Sequence, residues 1–201
     1  MNYWKEDSIL NKYTEETKPN EIFKEVCDSL GNFYSQKGWK YSRSRPKIKF
    51  EKDDLILEIN FWSSHSNMAG SYVQLEILPY VSSKKLKKWI KETKIGRNDS
   101  IFGPTIYSFR NNNIYGITKD SFTILTEKID NYIASKLDIS DNDAFVERIF
   151  EDLNESIIDN FACYLAMKND KRILDVIEFD NGLKIDSEIS SKLKKYFSSQ
   201  R

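Results

Sequence analysis

The sequence predicts an α+β fold: an antiparallel sheet of three to five strands with an N-terminal helix and a C-terminal set of helices. Three observations predict it. Apolar residues recur with a helical period over residues 21–37. The period changes to strict alternation over much of residues 39–80, which is typical of strands with one buried face. Helical spacing returns from residue 120 onward, so the strands and most of the helices occupy separate parts of the chain.

The size and composition suit a single domain over residues 1–201, or two lobes divided into residues 1–118 and 119–201. Hydrophobic residues make up 39% of the chain and aromatic residues 13%, which is enough to build a core. The formal charge is zero, which argues against a protein that binds nucleic acid through a general basic excess. The start, MNYWKEDS, lacks the apolar block of a signal peptide, and no run approaches the roughly 18 apolar residues of a membrane span. We therefore expect a cytoplasmic protein with no membrane contact.

The first predicted element after a polar start is a helix over residues 21–37. Gly38 follows it and is a natural stop. Residues 1–18 are interpreted as a docked arm or a short helix. The apolar face of the predicted helix consists of Ile22, Phe23, Val26, Leu30, Phe33 and Tyr34.

Three strands are predicted at residues 39–51, 55–62 and 71–80. The turn-forming sequence Lys52-Asp53-Asp54 separates the first two. Pro46 cannot donate a hydrogen bond to a neighbouring strand, so the first strand is expected at an edge of the sheet.

The side-chain alternation also constrains the first hairpin. Ile48 and Leu57 belong to the apolar face of their strands, and directly opposed residues share a face. Because Ile48 is even-numbered and Leu57 is odd-numbered, the numbers of two directly opposed residues must add up to an odd value. A hairpin loop of two or four residues gives such pairs. Pairing Ile48 with Leu57 places Lys47 opposite Glu58.

The remaining elements are mostly helical. A short amphipathic helix follows Ser83, and its lysines face away from its apolar side. Turn signals on both sides of Thr105–Arg110 indicate a fourth strand there. Further helices are predicted over residues 120–137, 141–167, 170–178 and 187–198. The lysines of the short helix are Lys84, Lys85, Lys87, Lys88, Lys91 and Lys94.

His65, the only histidine, lies in the sequence Ser63-Ser64-His65-Ser66-Asn67. Serine and asparagine are turn-forming residues, so we interpret His65 as part of a loop. A catalytic role would need a nucleophile or a carboxylate held beside it, and a metal site would need further ligands. The sequence also lacks a phosphate-binding glycine loop, a GxSxG elbow and an HExxH motif. We expect no catalytic residues, no metal and no cofactor.

The strand predicted over residues 39–51 carries alternating cations. These would project from one face, and two aromatic residues share their parity. Such a face could neutralise phosphates and stack bases, it could form ion pairs with neighbouring strands in solvent, or it could bind a protein. The candidate nucleic-acid-binding residues are Trp39, Tyr41, Arg43, Arg45, Lys47 and Lys49.

The helix predicted over residues 141–167 carries a ladder of carboxylates opposite its apolar side. Like charges four residues apart on a helix repel each other. The acidic side could be solvated or paired with the lysines of residues 84–94, it could bind a cationic partner protein, or it could hold a metal ion. The candidate partner-binding residues are Glu147, Glu151, Asp152, Glu155 and Asp159.

Cys27 and Cys163 lie far apart in apolar segments and are not part of a CxxC pair. We expect them to be reduced core residues of an intracellular protein.

Residues 22–80 resemble a bacterial family of uncharacterised α+β domains. The resemblance lies in the step Gly38-Trp39-Lys40 after a helix, in the alternating strand pair, and in the strand introduced by Gly70-Ser71-Tyr72-Val73-Gln74-Leu75-Glu76-Ile77. Some similar proteins are thought to be immunity partners of bacterial toxins. The resemblance implies a non-enzymatic protein that neutralises a toxin, with no catalytic residues to assign.

Our leading hypothesis is therefore a protein-binding role, with a basic protein such as a toxin as partner. Binding of nucleic acid through the basic strand is the alternative, and an enzyme that uses His65 is a third hypothesis. The sequence does not identify the partner or the oligomeric state.

Overall fold

The structure is a computed structural model that describes residues 4–103, 112–177 and 183–198. In these ranges it contains seven α-helices and a six-stranded antiparallel sheet, which confirms the α+β prediction. None of the described helices is both long enough and apolar enough to cross a bilayer. The fourth strand predicted at Thr105–Arg110 lies outside the described residues.

The elements have the following bounds. The helices are α1 (Pro19–Ser35), α2 (Lys84–Thr93), α3 (Lys119–Tyr132), α4 (Asn142–Glu151), α5 (Ile158–Met167), α6 (Ile173–Ile177) and α7 (Ser187–Ser198), with a 3-10 turn at Ile9–Asn11 and a π-helical turn at Ile133–Leu137. The strands are β1 (Lys40–Ser42), β2 (Lys47–Lys52), β3 (Leu55–Trp62), β4 (Gln74–Ser83), β5 (Ser100–Phe102) and β6 (Asn112–Asn113).

The strand order is β1-β2-β3-β4-β5, and β6 pairs with β4. The prediction of one strand over residues 39–51 is wrong, because β1 and β2 are separate strands that pair antiparallel with each other. Arg43–Pro46 form the turn between them. Serine and proline favour a turn at this point, and the proline has no N–H to donate to a ladder. The predicted position at the edge of the sheet is confirmed for β1, which ends the strand order, but is wrong for β2, which lies between β1 and β3.

The predicted hairpin between β2 and β3 is confirmed. Its loop consists of the two residues Asp53 and Asp54, and Asp53 adopts a positive φ of 52°. The predicted register is wrong by two residues. The N–H of Phe61 donates to the carbonyl of Pro46 at 2.9 Å, so Ile48 opposes Ile59 and not Leu57. Lys47 therefore reaches Glu58 diagonally across the strands, with its Nζ 2.9 Å from Oε1 of Glu58. The buried side of β3 consists of Leu55, Leu57, Ile59 and Phe61.

The third predicted strand is shifted along the sequence. β4 begins at Gln74 and continues to Ser83, whereas Met68 and Tyr72 form an isolated bridge before it. The strand begins later because Asn67 binds the start of β4: its Oδ1 accepts the N–H of Gln74 at 2.8 Å. Small and polar residues before Gln74 therefore form a loop instead of an extension of the strand.

The helix predicted over residues 141–167 is two helices. Its continuity is broken after α4, where Oδ1 of Asn154 accepts the N–H of Ser156 at 3.0 Å. The amide of Asn154 also donates to the carbonyl of Asp152 at 3.1 Å. These local bonds give the backbone an alternative to the helical pattern. The helix predicted over 120–137 is confirmed as α3 and the π-helical turn, the one over 187–198 as α7, and the one over 170–178 is shorter, as α6.

The chain forms two compact units that interleave along the sequence. The first contains residues 1–50, 57–79 and 104–138, and the second contains residues 51–56, 80–103 and 139–201. The strands β2, β3 and β4 pass from one unit into the other.

In the first unit, α1 packs on β1 at a glycine. A Cβ atom at Gly31 would lie 2.4 Å from the ring of Tyr41, so only glycine admits that ring. Tyr34 is fully buried, and its hydroxyl donates to Asp130 of α3 at 3.1 Å. Gly38 follows α1 with a φ of 86°, in the left-handed conformation that favours glycine after a helix.

In the second unit, α5 is the central helix. It contacts α2, α6, α7 and β5. Seven of its ten residues are buried, which explains why this segment is apolar on every side. These residues are Ile158, Phe161, Ala162, Cys163, Tyr164, Leu165 and Ala166.

Both cysteines are free and buried, as the sequence predicts. Burial, together with the nearby Asp159 carboxylate, raises the pKa of Cys163 to about 12. Burial also raises the pKa of Cys27. Both thiols are therefore protonated at neutral pH and are poor nucleophiles.

Candidate partner-binding surface

The acidic residues around α4 divide into two groups, and the first group bonds to the chain itself. Oδ1 of Asp141 caps α4 by accepting the N–H groups of Asp143 and Ala144, at 2.9 and 3.1 Å. Oδ1 of Asp159 accepts the N–H of Asp186 at 2.8 Å. These carboxylates stabilise the backbone and are not available as a docking surface.

Arg172 engages two more acidic side chains of the second unit. Its Nε donates to both carboxylate oxygens of Asp170, at 2.9 and 3.0 Å, and one terminal nitrogen lies 3.4 Å from Oδ1 of Asp143. The hydrogen bonds from Arg172 lower the pKa of Asp170 below its usual value. Asp143, at the start of α4, therefore also has a partner.

The second group consists of Glu147, Glu151 and Glu155, which we call the acidic surface. All three side chains are exposed. Within residues 4–103, 112–177 and 183–198, none of them forms an ion pair or a side-chain hydrogen bond. Glu147 and Glu151 are one helical turn apart on α4, and Glu155 lies in the turn that follows.

The broken helix changes the predicted ladder. Asp152 and Asp159 do not continue one stripe from Glu151, because α4 ends there. Asp152 is half-buried at the C-terminal cap of α4, where its N–H donates to the carbonyl of Arg148 at 3.3 Å. Of the five predicted partner-binding residues, Glu147, Glu151 and Glu155 are exposed. Asp152 lies at the C-terminal cap of α4, and Asp159 accepts a backbone N–H.

The lysines of α2 do not neutralise the acidic surface in the described part of the chain. Lys84 pairs with Glu51, and Lys88 lies 3.8 Å from Glu92 on its own helix. No ion pair joins α2 to α4 among the described residues. The internal pairing that would have explained the carboxylates is therefore not found there.

The predicted basic strand face is not assembled. Arg43 and Arg45 lie in the turn between β1 and β2, and Arg43 pairs with Asp28 at 2.8 Å. Lys47 and Lys49 are half-buried on β2. The four cations therefore do not project together from one strand, which was the basis of the nucleic-acid hypothesis for this face.

The two aromatic residues of that hypothesis also make contacts within the chain. Tyr41 pairs with Ile48 across β1 and β2, so it lies on the apolar side of the sheet. Its hydroxyl donates to Asp28 at 2.9 Å, and burial together with this bond raises its pKa. Trp39 packs its ring against Tyr34 and Phe50, with centroids 5.4 Å apart in both cases. Neither ring is free to stack on a base.

His65 is exposed in the loop between β3 and β4. The loop is held by its neighbours: Ser63 donates to the carbonyl of Gln74 at 3.2 Å, and Asn67 donates to Ser63 at 2.6 Å. Among the described residues, no three His, Cys, Asp or Glu side chains are grouped closely enough to hold a metal ion.

One buried polar network was not predicted from the sequence. The hydroxyl of Ser83 is fully buried and donates to Oδ2 of Asp54 at 2.5 Å. It also accepts the N–H of Leu86 at 3.1 Å and so caps α2. Lys168 lies 3.8 Å from the other oxygen of Asp54. A serine before an amphipathic run is a recognisable cap signal, but nothing in the sequence pairs Ser83 with Asp54.

No family model, no curated protein and no solved structure matches this chain. The resemblance of residues 22–80 to a bacterial domain family therefore stays a prediction.

Proposed function

We propose that this chain acts by binding a cationic protein and that the acidic surface, Glu147, Glu151 and Glu155, forms the contact. One observation carries the proposal. The chain bonds its other nearby carboxylates, at Asp141, Asp143 and Asp159, but it leaves these three exposed and without a partner among the described residues.

Repulsion between neighbouring carboxylates favours binding of a cation supplied by a partner protein. Glu147 and Glu151 are four residues apart on one helix, and such a like-charged pair costs roughly 0.2–0.5 kcal/mol of helix stability. A cation from a partner would remove this repulsion. Exposed charges also accelerate association with an oppositely charged partner, and that effect weakens as salt screens the field.

A toxin-neutralising role is one instance of this proposal. It is the function implied by the resemblance of residues 22–80, and a basic toxin would be a cationic partner. The proposed role is binding, with no catalysis, metal or cofactor of its own.

The test compares two triple variants with equal charge. Glu147, Glu151 and Glu155 are each changed to Lys in the first variant. Glu6, Glu16 and Glu127, which are exposed elsewhere, are each changed to Lys in the control. Affinity capture from the native host with the unmodified chain identifies a partner, which is then purified, and calorimetry gives its dissociation constant for all three proteins.

The expected result is a dissociation constant at least about tenfold weaker for the first variant, which corresponds to about 1.4 kcal/mol. The control variant should bind within about twofold of the unmodified chain. Circular dichroism and thermal melting establish that both variants are folded. The same affinity for the first variant and the unmodified chain would reject this surface. A loss of affinity of the same size in both variants would show that the contact is not specific to this surface.

A further inference from the structure

A cleft of about 400 Å³ lies in the first unit, beside α1. Four of its lining side chains come from α1 and follow the spacing i, i+3, i+4 and i+7, which places them on one side of the helix. The segment before α1, the strand β1 and the turn after it supply the other lining residues. The volume lies within the range of small-molecule sites, roughly 300–1,000 Å³. The lining residues of α1 are Glu25, Asp28, Ser29 and Asn32.

Hydrogen bonds and an ion pair within the chain hold the cleft in shape. The hydroxyl of Tyr41 on β1 donates to Oδ1 of Asp28 at 2.9 Å, and a terminal nitrogen of Arg43 lies 2.8 Å from Oδ2. In the segment before α1, the hydroxyl of Ser8 donates to Oε1 of Glu25 at 2.9 Å. The cleft is therefore pre-formed, and binding a ligand there requires little ordering of its walls.

Ser29 is the most buried residue of the lining. It is only 5% exposed, and in the part of the chain that the structure describes its hydroxyl has no partner. A serine within a helix commonly donates to the carbonyl of the preceding turn, and Ser29 forms no such bond there. Burial of a hydroxyl without a hydrogen bond is unfavourable. A polar ligand atom in the cleft would supply the missing bond.

The cleft also holds charged groups of both signs with unused bonding capacity. Within the described ranges, Lys5 forms no ion pair and Arg43 bonds Asp28 through one terminal nitrogen. Glu25 leaves its Oε2 without a partner among the residues described. Guanidinium and ammonium groups of the protein bind carboxylates, and a carboxylate of the protein accepts hydrogen bonds from an ammonium group. The lining therefore suits a ligand that carries both a carboxylate and an ammonium group.

We propose that this cleft binds a free polar amino acid in its zwitterionic form. Arg43 and Lys5 bind its carboxylate, and Glu25 accepts a hydrogen bond from its ammonium group. Ser29 bonds the part of the ligand that reaches deepest. The lining contains two cations and two carboxylates, so a ligand without net charge fits it better than phosphate or a polyamine. Each described lining side chain carries a polar group, so an apolar ligand would leave these groups without hydrogen bonds.

The cleft shares no residue with the acidic surface. Glu147, Glu151 and Glu155 belong to the second unit, whereas the lining residues of the cleft belong to the first. Binding of an amino acid is therefore independent of the proposed protein partner.

The test is isothermal titration calorimetry of the full chain with L-serine, L-threonine, L-asparagine and L-glutamine. At least one of them should bind with a dissociation constant below about 1 mM. For the amino acid that binds most tightly, the amine that lacks its carboxylate and the acid that lacks its amino group are then titrated. Each should bind at least about tenfold more weakly, because each loses one of the two charged contacts. Inorganic phosphate should also bind more weakly than the amino acid.

Two variants locate the binding in this cleft. Arg43→Gln should weaken it at least about tenfold, whereas Arg97→Gln should leave it unchanged. Arg97 is the matched control because it forms a comparable ion pair, 2.9 Å from Oδ2 of Asp186, in the second unit. Ser29→Ala should weaken binding about threefold or more without lowering the melting temperature, since its hydroxyl has no bond to lose among the described residues. Thermal melting establishes that each variant is folded.

Failure of all four amino acids to bind at about 10 mM would overturn the proposal. An analogue that binds as tightly as the amino acid, tighter binding of phosphate, or unchanged affinity in Arg43→Gln would overturn it as well. An equal loss of affinity in Arg97→Gln would place the binding outside this cleft and would also overturn it.

Discussion

The charged sides of α2 and α4 look alike in the sequence but differ in how the fold uses them. On α2, the charged side chains lie along one uninterrupted helix, and Lys85, Lys87 and Lys91 remain exposed and without an ion pair among the described residues. Around α4, the acidic side chains are divided by the turn at Asn154, and several of them cap helices or accept backbone N–H groups. A run of like charges therefore indicates a binding surface only at those residues that have no structural role.

The largest effect is expected at the start of α2. Ser83→Ala removes a helix cap and a hydrogen bond to the buried carboxylate of Asp54. A cap contributes about 1 kcal/mol and a hydrogen bond to a charged group about 2 kcal/mol. Urea denaturation should show a loss of about 3 kcal/mol in the free energy of unfolding.

Ser82→Ala is the matched control for that experiment, since Ser82 precedes the cap and its hydroxyl has no partner among the described residues. It should stay within about 0.5 kcal/mol of the unmodified chain. A loss below about 1 kcal/mol for Ser83→Ala would mean that the cap does not anchor α2.

A smaller effect is expected at Arg172, which holds Asp170 and Asp143. Arg172→Ala should lower the free energy of unfolding by about 1.5 kcal/mol at neutral pH, because it removes charge-assisted hydrogen bonds at a partly exposed site. The folded-state pKa of Asp170 is depressed below the usual value of 3.8, so its contribution is present above that pH and is lost as pH falls through the folded pKa.

Urea denaturation of both proteins across the acid range checks the sign. The difference between unmodified chain and variant should be constant above about pH 5 and should shrink below the usual pKa of 3.8. A difference that grows on acidification would contradict the assignment of this ion pair.

The next effect distinguishes structural from exposed acids at α4. Asp141→Ala removes the cap that accepts two N–H groups and should cost about 1 kcal/mol. Glu147→Ala should change the free energy of unfolding by less than about 0.5 kcal/mol, because that side chain is exposed. Thermal melting of the two variants provides the comparison, and similar losses for both would remove the distinction between the two groups of acids.

The smallest effect is expected on the exposed side of α2. Lys87→Glu replaces a repulsive pair with Lys91 by an attractive one in the favoured order, and should stabilise the chain by about 0.5 kcal/mol. Chemical denaturation measures the gain, with Lys128→Glu on α3 as the control. Destabilisation would contradict the description of Lys87 as an exposed side chain without a partner among the described residues.

Prediction from sequence succeeds where short-range rules decide the structure. The β2–β3 hairpin follows from the alternation of Ile48 and Leu57 and from the turn-forming Asp53-Asp54. Its register does not follow, because a shift of two residues keeps the same side chains on the buried face. Prediction fails where a periodic pattern continues through a break. The alternating cations conceal the turn at Arg43–Pro46 because two of them lie in the turn.

The candidate site shows the same limit. The spacing of Glu147, Glu151 and Glu155 is visible in the sequence. The periodic pattern gives no sign of the hydrogen bonds of Asn154 that interrupt the helix after α4. The partners of Asp143 and Asp159 lie on distant segments, at Arg172 and Asp186. Only the folded chain separates carboxylates with partners from those without.

The most direct test of this account replaces Glu147, Glu151 and Glu155 by Gln, which keeps the size and shape of the side chains and removes their charge. Binding of the purified partner is measured at low and at moderate salt. The account predicts a dissociation constant at least about tenfold weaker at low salt and a smaller dependence on salt than in the unmodified chain. The same affinity and the same salt dependence in both proteins would contradict it.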